Sequence, residues 1–178
     1  MAHIDVFKGW GETIRQDIES FKVLLESDKA DDNSRHLAGA ALLYLVSRMD
    51  LIPDWNEAIG VLDDVMVLRV CAQLTQTHER GPLPTVAEIS LERMANEAEQ
   101  IAGFLGGALH DKLRAYCARL AEQTVRGRTP AGLAGDADLR AALYRELEDE
   151  IKKSVPIVVD NPADAEVRLK AYLTHKLQ

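Results

Sequence analysis

Apolar side chains recur along most of this chain at steps of three and four residues, which is the spacing of one face of an α-helix. The segment from Ser34 to about Met49 is apolar on nearly every side, a pattern typical of a helix buried in a core. Further stripes continue to the end of the chain, and the pattern predicts an all-α bundle of about seven helices. The first stripe consists of Phe7, Trp10, Ile14, Ile18, Phe21 and Leu25.

Capping residues, glycines and prolines mark where the helices begin and end. A kink is expected at Gly106, a flexible loop over 126–136 and an extended connector over 155–159. Arg69, Gln73 and Gln76 are expected on the solvent side of their helix. We therefore predict a single helical domain over 1–178, with a helical extension from residue 85 onward. The residues expected to cap successive helices are Ser34, Asp63, Thr85 with Glu88, and Asn161 before Pro162.

Composition narrows the classes of partner and compartment. The formal net charge of -8 leaves no basic surplus to displace counterions, so nucleic acid is not expected as a partner. The longest apolar run, Leu37 to Val46, is about half the length of a membrane span. The first residues lack the pattern of a signal peptide, so a cytoplasmic protein is expected. Cys71 and Cys117 lie in apolar helical patterns and are expected to be reduced core thiols.

The densest group of reactive side chains lies at a corner between two apolar helices. Pro53 stops the first of these helices, and Asp54 with Glu57 forms a capping box for a short corner helix that Gly60 ends. Carboxylates beside a core are costly unless something satisfies them. The corner carries four aspartates, which are Asp50, Asp54, Asp63 and Asp64.

Two explanations of these aspartates remain open. Asp50 ends its helix, where the dipole disfavours an anion, so it requires a donor such as the N-terminus of the next helix or Arg48. The Tyr44 ring is expected in the core, with its hydroxyl reaching a carboxylate. Alternatively, Asp50, Asp54 and one of Asp63 or Asp64 bind a cation. All-oxygen ligation would favour Mg²⁺, Mn²⁺ or Ca²⁺.

The corner resembles the YkvA-like family, a bacterial helical domain of unknown function, over about residues 34–76. Family members usually carry a proline at the position of Arg48. The arginine in this chain leaves the acids intact but makes the corner less rigid than the resemblance implies. The resemblance implies a helical hairpin and brings no established activity. It rests on Tyr44-Leu45, Ser47, Asp50-Leu51-Ile52-Pro53-Asp54, Ile59-Gly60 and Leu62-Asp63-Asp64.

These observations lead to three functional hypotheses, and the sequence leaves open whether the protein is an enzyme. The first is a non-enzymatic binding or regulatory module that binds another protein or a second copy of itself, with no cofactor. The second is a divalent-cation-binding protein or metal-dependent hydrolase that uses the aspartates. The third is peripheral membrane attachment through Phe7 and Trp10, although acids on the same helix oppose it.

Overall fold

A computed structural model describes residues 2–47, 51–52 and 59–178. The described residues form an all-α fold, as predicted. Pro53, Asp54, Glu57 and the predicted corner helix up to Gly60 lie outside the described residues, except for a turn at 59–60. The elements are α1 (His3–Gly9), a 3₁₀ turn (Trp10–Thr13), α2 (Ile14–Glu26), α3 (Asp32–Val46), α4 (Leu62–Thr75), α5 (Thr85–Leu105), α6 (Gly107–Leu120), α7 (Pro130–Gly135), α8 (Ala137–Lys153) and α9 (Pro162–Lys176).

The hairpin of α3 and α4 occupies the centre of the bundle. Helices α2 and α7 pack on α3, while α5 and α6 pack on α4. Most side chains of α3 and α4 are buried, which explains why both helices are largely apolar. Helix α7 approaches α3 closely at Gly39, where an added Cβ would lie 3.2 Å from Pro130. The corner that joins α3 to α4 is therefore held by a fully packed pair of helices.

The N-terminal stripe forms two helices and a 3₁₀ turn instead of the single helix its spacing suggests. Gly9 and Gly11 flank Trp10 in this region, and glycine weakens a regular α-helix. The stripe still faces the core, because Phe7 and Trp10 are buried with their ring centroids 4.9 Å apart. The apolar pattern therefore predicted the buried face correctly but not the break.

The predicted flexible loop at 126–136 contains ordered structure. Arg126 and Gly127 both have positive φ angles, 52° and 78°, in a tight turn closed by a bridge between Val125 and Arg128. Thr129 then caps α7, its hydroxyl accepting a hydrogen bond from the Gly132 N–H at 3.0 Å. Glycines and a proline favoured a loop here, but they also suit a tight turn and a helix start.

Three of the predicted caps are wrong: those at Ser34 and Thr85, described here, and that at Asp63, described with the site. Asp31 caps α3, accepting a hydrogen bond from the Ser34 N–H at 2.7 Å, so Ser34 lies inside the helix. Helix α5 begins at Thr85 without a side-chain cap, because Pro84 at the cap position has no side-chain acceptor, and Glu88 pairs with Arg80 at 2.7 Å instead. Asn161 caps α9 as predicted, with Pro162 as the first helical residue.

Three smaller expectations are confirmed. The chain turns at Gly106, whose φ is 83°, between α5 and α6. Cys71 and Cys117 are both buried free thiols, and burial raises the pKa of the Cys117 thiol. Residues 155–159 have no regular secondary structure. Within the described ranges, no helix is both long and apolar enough to cross a bilayer.

The loops on either side of the hairpin are joined at the end opposite the corner. The Asp31 N–H donates to the Glu79 carbonyl at 2.7 Å, and the Asp31 carboxylate accepts from the Glu79 N–H at 3.0 Å. Burial acts to raise the pKa of Asp31, but hydrogen bonds from the backbone N–H groups of Ser34 and Glu79 outweigh it and leave the pKa below its ordinary value. Gly81 meets Lys29 in the same region, and this contact leaves no room for a side chain.

Substitution at Gly81 tests this junction. Gly81 has a φ of +67°, and an added Cβ would lie 2.6 Å from the Lys29 carbonyl oxygen. Gly81→Ala is expected to lower the free energy of unfolding by about 1–3 kcal/mol. The control, Gly103→Ala, places its Cβ in open space in α5 and is expected to raise that free energy by about 1 kcal/mol. Chemical denaturation measures both, and equal effects of the two variants would contradict the junction's close packing.

Candidate functional site

The site forms where the end of α3 meets the start of α4. Tyr44 lies in the last turn of α3, and Asp63 and Asp64 lie in the first turn of α4. Both Tyr44 and Asp63 are buried, at 3% and 0% exposure. The sequence places these residues nineteen positions apart, and the hairpin brings them into contact.

Tyr44 and Asp63 share a buried hydrogen bond. The Tyr44 hydroxyl donates to Asp63 Oδ2 at 2.5 Å, which is in the range of a hydroxyl bonded to a charged carboxylate. The prediction that the Tyr44 hydroxyl reaches a carboxylate is therefore confirmed. This bond links the last turn of one central helix to the first turn of the other.

The same two side chains hold the chain just beyond α3. The Leu51 N–H donates to the Tyr44 hydroxyl oxygen at 2.9 Å, so this hydroxyl is both donor and acceptor. The Ile52 N–H donates to Asp63 Oδ2 at a longer 3.4 Å. Leu51 and Ile52 are themselves buried, so these two backbone groups find protein partners where water is excluded.

Asp63 does not cap α4 as predicted. Helix α4 begins one residue earlier, at Leu62, with Val61 at the cap position and no side-chain cap. Asp63 is the second residue of the helix, and its side chain reaches across to Tyr44. A negative charge in a first turn is still stabilised by the positive end of the helix dipole, as it is for Asp64.

The remaining predicted site residues are placed only in part. Gly60 lies buried in the turn before α4. Asp50, Asp54 and Arg48 lie outside the described residues, as do Pro53 and Glu57. Among residues 2–47, 51–52 and 59–178, no three His, Cys, Asp or Glu side chains lie close enough together to hold a metal ion. That range contains neither Asp50 nor Asp54, so metal ligation by the four aspartates stays a prediction.

A small cleft borders the corner. Its volume is about 60 Å³, well below the several hundred cubic ångströms of ordinary ligand pockets. The Tyr116 ring stands at its wall, edge-on to the Tyr44 ring with centroids 6.5 Å apart. The other lining residues are Ala40, Leu43, Ser47, Leu120, Gln123 and Val125.

A second buried polar cluster, which we did not predict, joins α2, α4 and α5. Arg69 is fully buried, although its helix position suggested exposure. Its guanidinium lies 3.2 Å from the Asp17 carboxylate and 2.9 Å from that of Glu97, and it stacks over the Trp10 ring at 4.7 Å. Arg93 contacts the same two carboxylates, so two cations and two anions alternate.

Charge balance explains why this cluster is tolerated in the interior. Burial lowers the pKa of Arg69, and the carboxylates of Asp17 and Glu97 counter only part of that effect. Each carboxylate therefore stabilises a guanidinium that water cannot reach. The partners are distant in the sequence, so periodicity alone does not reveal them. The available signal was a single basic residue in a mostly apolar helix.

One family model matches part of the central hairpin. The family described as "Protein of unknown function (DUF1232)" matches residues 34–69. This range is about a fifth of the chain and covers α3, the corner and the first half of α4. The chain therefore contains a segment similar to that family. Neither curated proteins nor solved structures give a significant match.

Removal of the Tyr44 hydroxyl tests the buried corner contact. Tyr44→Phe takes one donor from Asp63 and the acceptor from the Leu51 N–H, and is expected to cost about 1–3 kcal/mol of unfolding free energy. The control is Tyr144→Phe, which removes a hydroxyl bonded to Glu26 at an exposed site and is expected to cost less than about 0.5 kcal/mol. Urea denaturation measures both. Equal losses would show that the Tyr44 hydroxyl has no special role.

The Arg69 cluster makes a separate prediction. Arg69→Met leaves Asp17 and Glu97 with Arg93 as their one remaining partner of this cluster, and is expected to cost about 3 kcal/mol. The control is Arg15→Met, because Arg15 pairs with Glu148 on the surface, and its expected cost is at most about 1 kcal/mol. Thermal and chemical denaturation give the comparison. If Arg69→Met lowers the unfolding free energy no more than Arg15→Met does, the cluster does not stabilise the fold.

Proposed function

We propose that the chain is a non-enzymatic binding or regulatory module in which the acidic corner mainly locks the central hairpin. The observation that supports this proposal is the environment of Asp63. Its carboxylate is fully buried and accepts hydrogen bonds from the Tyr44 hydroxyl and the Ile52 N–H. A carboxylate in this position stabilises the fold and is not presented to a substrate.

The geometry of the corner supports the same role. A reactive carboxylate needs a cleft that admits the reacting group. The cleft beside Tyr44 has a volume of only about 60 Å³. The Tyr44 hydroxyl is engaged on both sides, by Asp63 and by the Leu51 N–H. These contacts fix the backbone where the chain leaves α3 and thereby set the angle at which α4 begins.

We further propose that the segment at 34–76 is a YkvA-like hairpin and that the protein is bacterial and cytoplasmic. The match to a family of unknown function over residues 34–69 supports the hairpin assignment. The partner is another protein, since the net charge of -8 opposes binding to nucleic acid. Membrane attachment through Phe7 and Trp10 loses support, because both side chains are buried at 0% and 6% exposure.

The rival is a divalent-cation site built from Asp50, Asp54, Asp63 and Asp64. A cation that binds the folded state must raise its stability by mass action, by about 2.7 kcal/mol at a hundred times the dissociation constant. Thermal denaturation with chelator and then with millimolar Mg²⁺, Mn²⁺ or Ca²⁺ distinguishes the two. We expect the cations to leave the melting temperature of the wild type unchanged, and Asp32→Asn, which removes an exposed first-turn acid of α3, is the matched control for Asp63→Asn.

Asp63→Asn sharpens this test. Under our proposal, the variant weakens the hydrogen bond to Tyr44 and loses the same stability with and without cation. Under the cation-site rival, removing a charge relieves repulsion among the acids, so the cation-free variant would gain stability and the cation response would fall. A cation-dependent rise in the wild type that Asp63→Asn abolishes would overturn the proposal.

A further inference from the structure

The connector between α8 and α9 has the composition of a β-strand. Four of its five residues over 155–159 are β-branched, a residue class that favours strands. Val155 and Val158 are 79% and 68% exposed, among the most exposed large apolar side chains of the described residues. An exposed apolar segment of this kind requires an explanation that its role as a linker does not supply.

The connector also has features of strand geometry. Ser154, which ends α8, and Asn161, which begins α9, flank the connector, and both have extended backbone conformations. Ile157 and Val159 are partly buried while Val158 between them is exposed, which is the two-residue alternation of a strand. Ile157 lies against the 3₁₀ turn, within 3.6 Å of the position that a Cβ on Gly11 would take.

The backbone of this segment is available for pairing. Across the ranges that the structure describes, the N–H and C=O groups of residues 155–160 make no hydrogen bond to the rest of the chain. Water satisfies exposed groups of this kind, and a second strand can replace that water with a ladder.

We propose that residues 155–159 pair with the same segment of a second copy of this chain, as a two-stranded antiparallel ladder. The charges on either side of the segment favour a second copy of this chain as the pairing strand. Lys152 and Lys153 precede the segment, and Asp160 follows it. An antiparallel arrangement of two identical segments places the lysines of each copy beside the aspartate of the other, at both ends. Such a two-fold contact is self-complementary, which is the property of an isologous dimer interface.

Proline at position 156 fits one register of this ladder. When the two-fold axis passes Ile157, residues 155 and 159 of opposite copies face each other and exchange hydrogen bonds. The backbone of Pro156 then faces away from the partner, so its missing N–H removes no ladder bond. Only two short strands meet, so the dimer is weak and depends on concentration.

Sedimentation equilibrium of the full chain, from micromolar to near-millimolar concentration, tests the ladder. A monomer–dimer equilibrium is expected. Val155→Pro removes the N–H at position 155 of each copy, and we expect it to weaken dimerisation about tenfold. The matched control is Val155→Thr, which keeps the N–H and the β-branched shape and leaves the dimer intact. Val155 is 79% exposed, so we expect both substitutions to leave the helical fold intact. Circular dichroism checks this expectation.

Charge reversal provides a second test of the antiparallel arrangement. Changing both Lys152→Glu and Lys153→Glu places like charges together and is expected to weaken the dimer. Adding Asp160→Lys to the same chain restores opposite charges and should recover dimerisation. A monomer at every concentration, or a dimer insensitive to Val155→Pro, would overturn the proposal. Binding of the monomer to anionic vesicles through the same lysines would also overturn it.

This ladder does not depend on the proposed role of the acidic corner. The cation experiment measures the thermal stability of each protomer and the effect of Asp63→Asn. Sedimentation measures self-association and the effect of Val155→Pro. A failure of either proposal therefore leaves the other in place.

Discussion

The buried hydrogen bond between Tyr44 and Asp63 is the contact on which the central hairpin depends. It joins the end of α3 to the start of α4, and the same two side chains hold the Leu51 and Ile52 N–H groups. A buried carboxylate would destabilise the fold if it were left without donors. Because the tyrosine and the chain itself supply donors, the buried carboxylate links the end of α3 to the start of α4. Helices α2, α5, α6 and α7 pack around the hairpin that this bond joins.

The Arg69 cluster follows the same physical rule, that a buried charged group needs partners, at a second place in the bundle. There, Arg69 and Arg93 alternate with two carboxylates between α2, α4 and α5. Apolar helices can pack in several rotations at similar cost, whereas buried charges tolerate only the arrangement that pairs them. The two clusters thus fix the position of α4 from its first turn at Asp63 to its middle at Arg69.

Much of the architecture could be predicted from apolar periodicity, because α-helices bury one face and the chain repeats that face clearly. The contact of Tyr44 with a carboxylate was also predictable, since a buried hydroxyl needs a partner. The caps at Ser34, Asp63 and Thr85 were wrong because each helix begins earlier than its pattern suggests, with Asp31, Val61 and Pro84 at the cap positions. The burial of Arg69 could not be predicted because its partners are distant along the chain. The role of Asp50 and Asp54 stays a prediction.

A double-mutant cycle with Tyr44→Phe and Asp63→Asn measures the corner interaction most directly, because it isolates the coupling energy of this pair from the cost of each substitution. Unfolding free energies of the four proteins, taken by chemical denaturation in chelator, supply the cycle. If the pair locks the hairpin, the double variant loses less than the sum of the two single losses, with a coupling of about 1–3 kcal/mol. Strict additivity of the two losses would contradict the account.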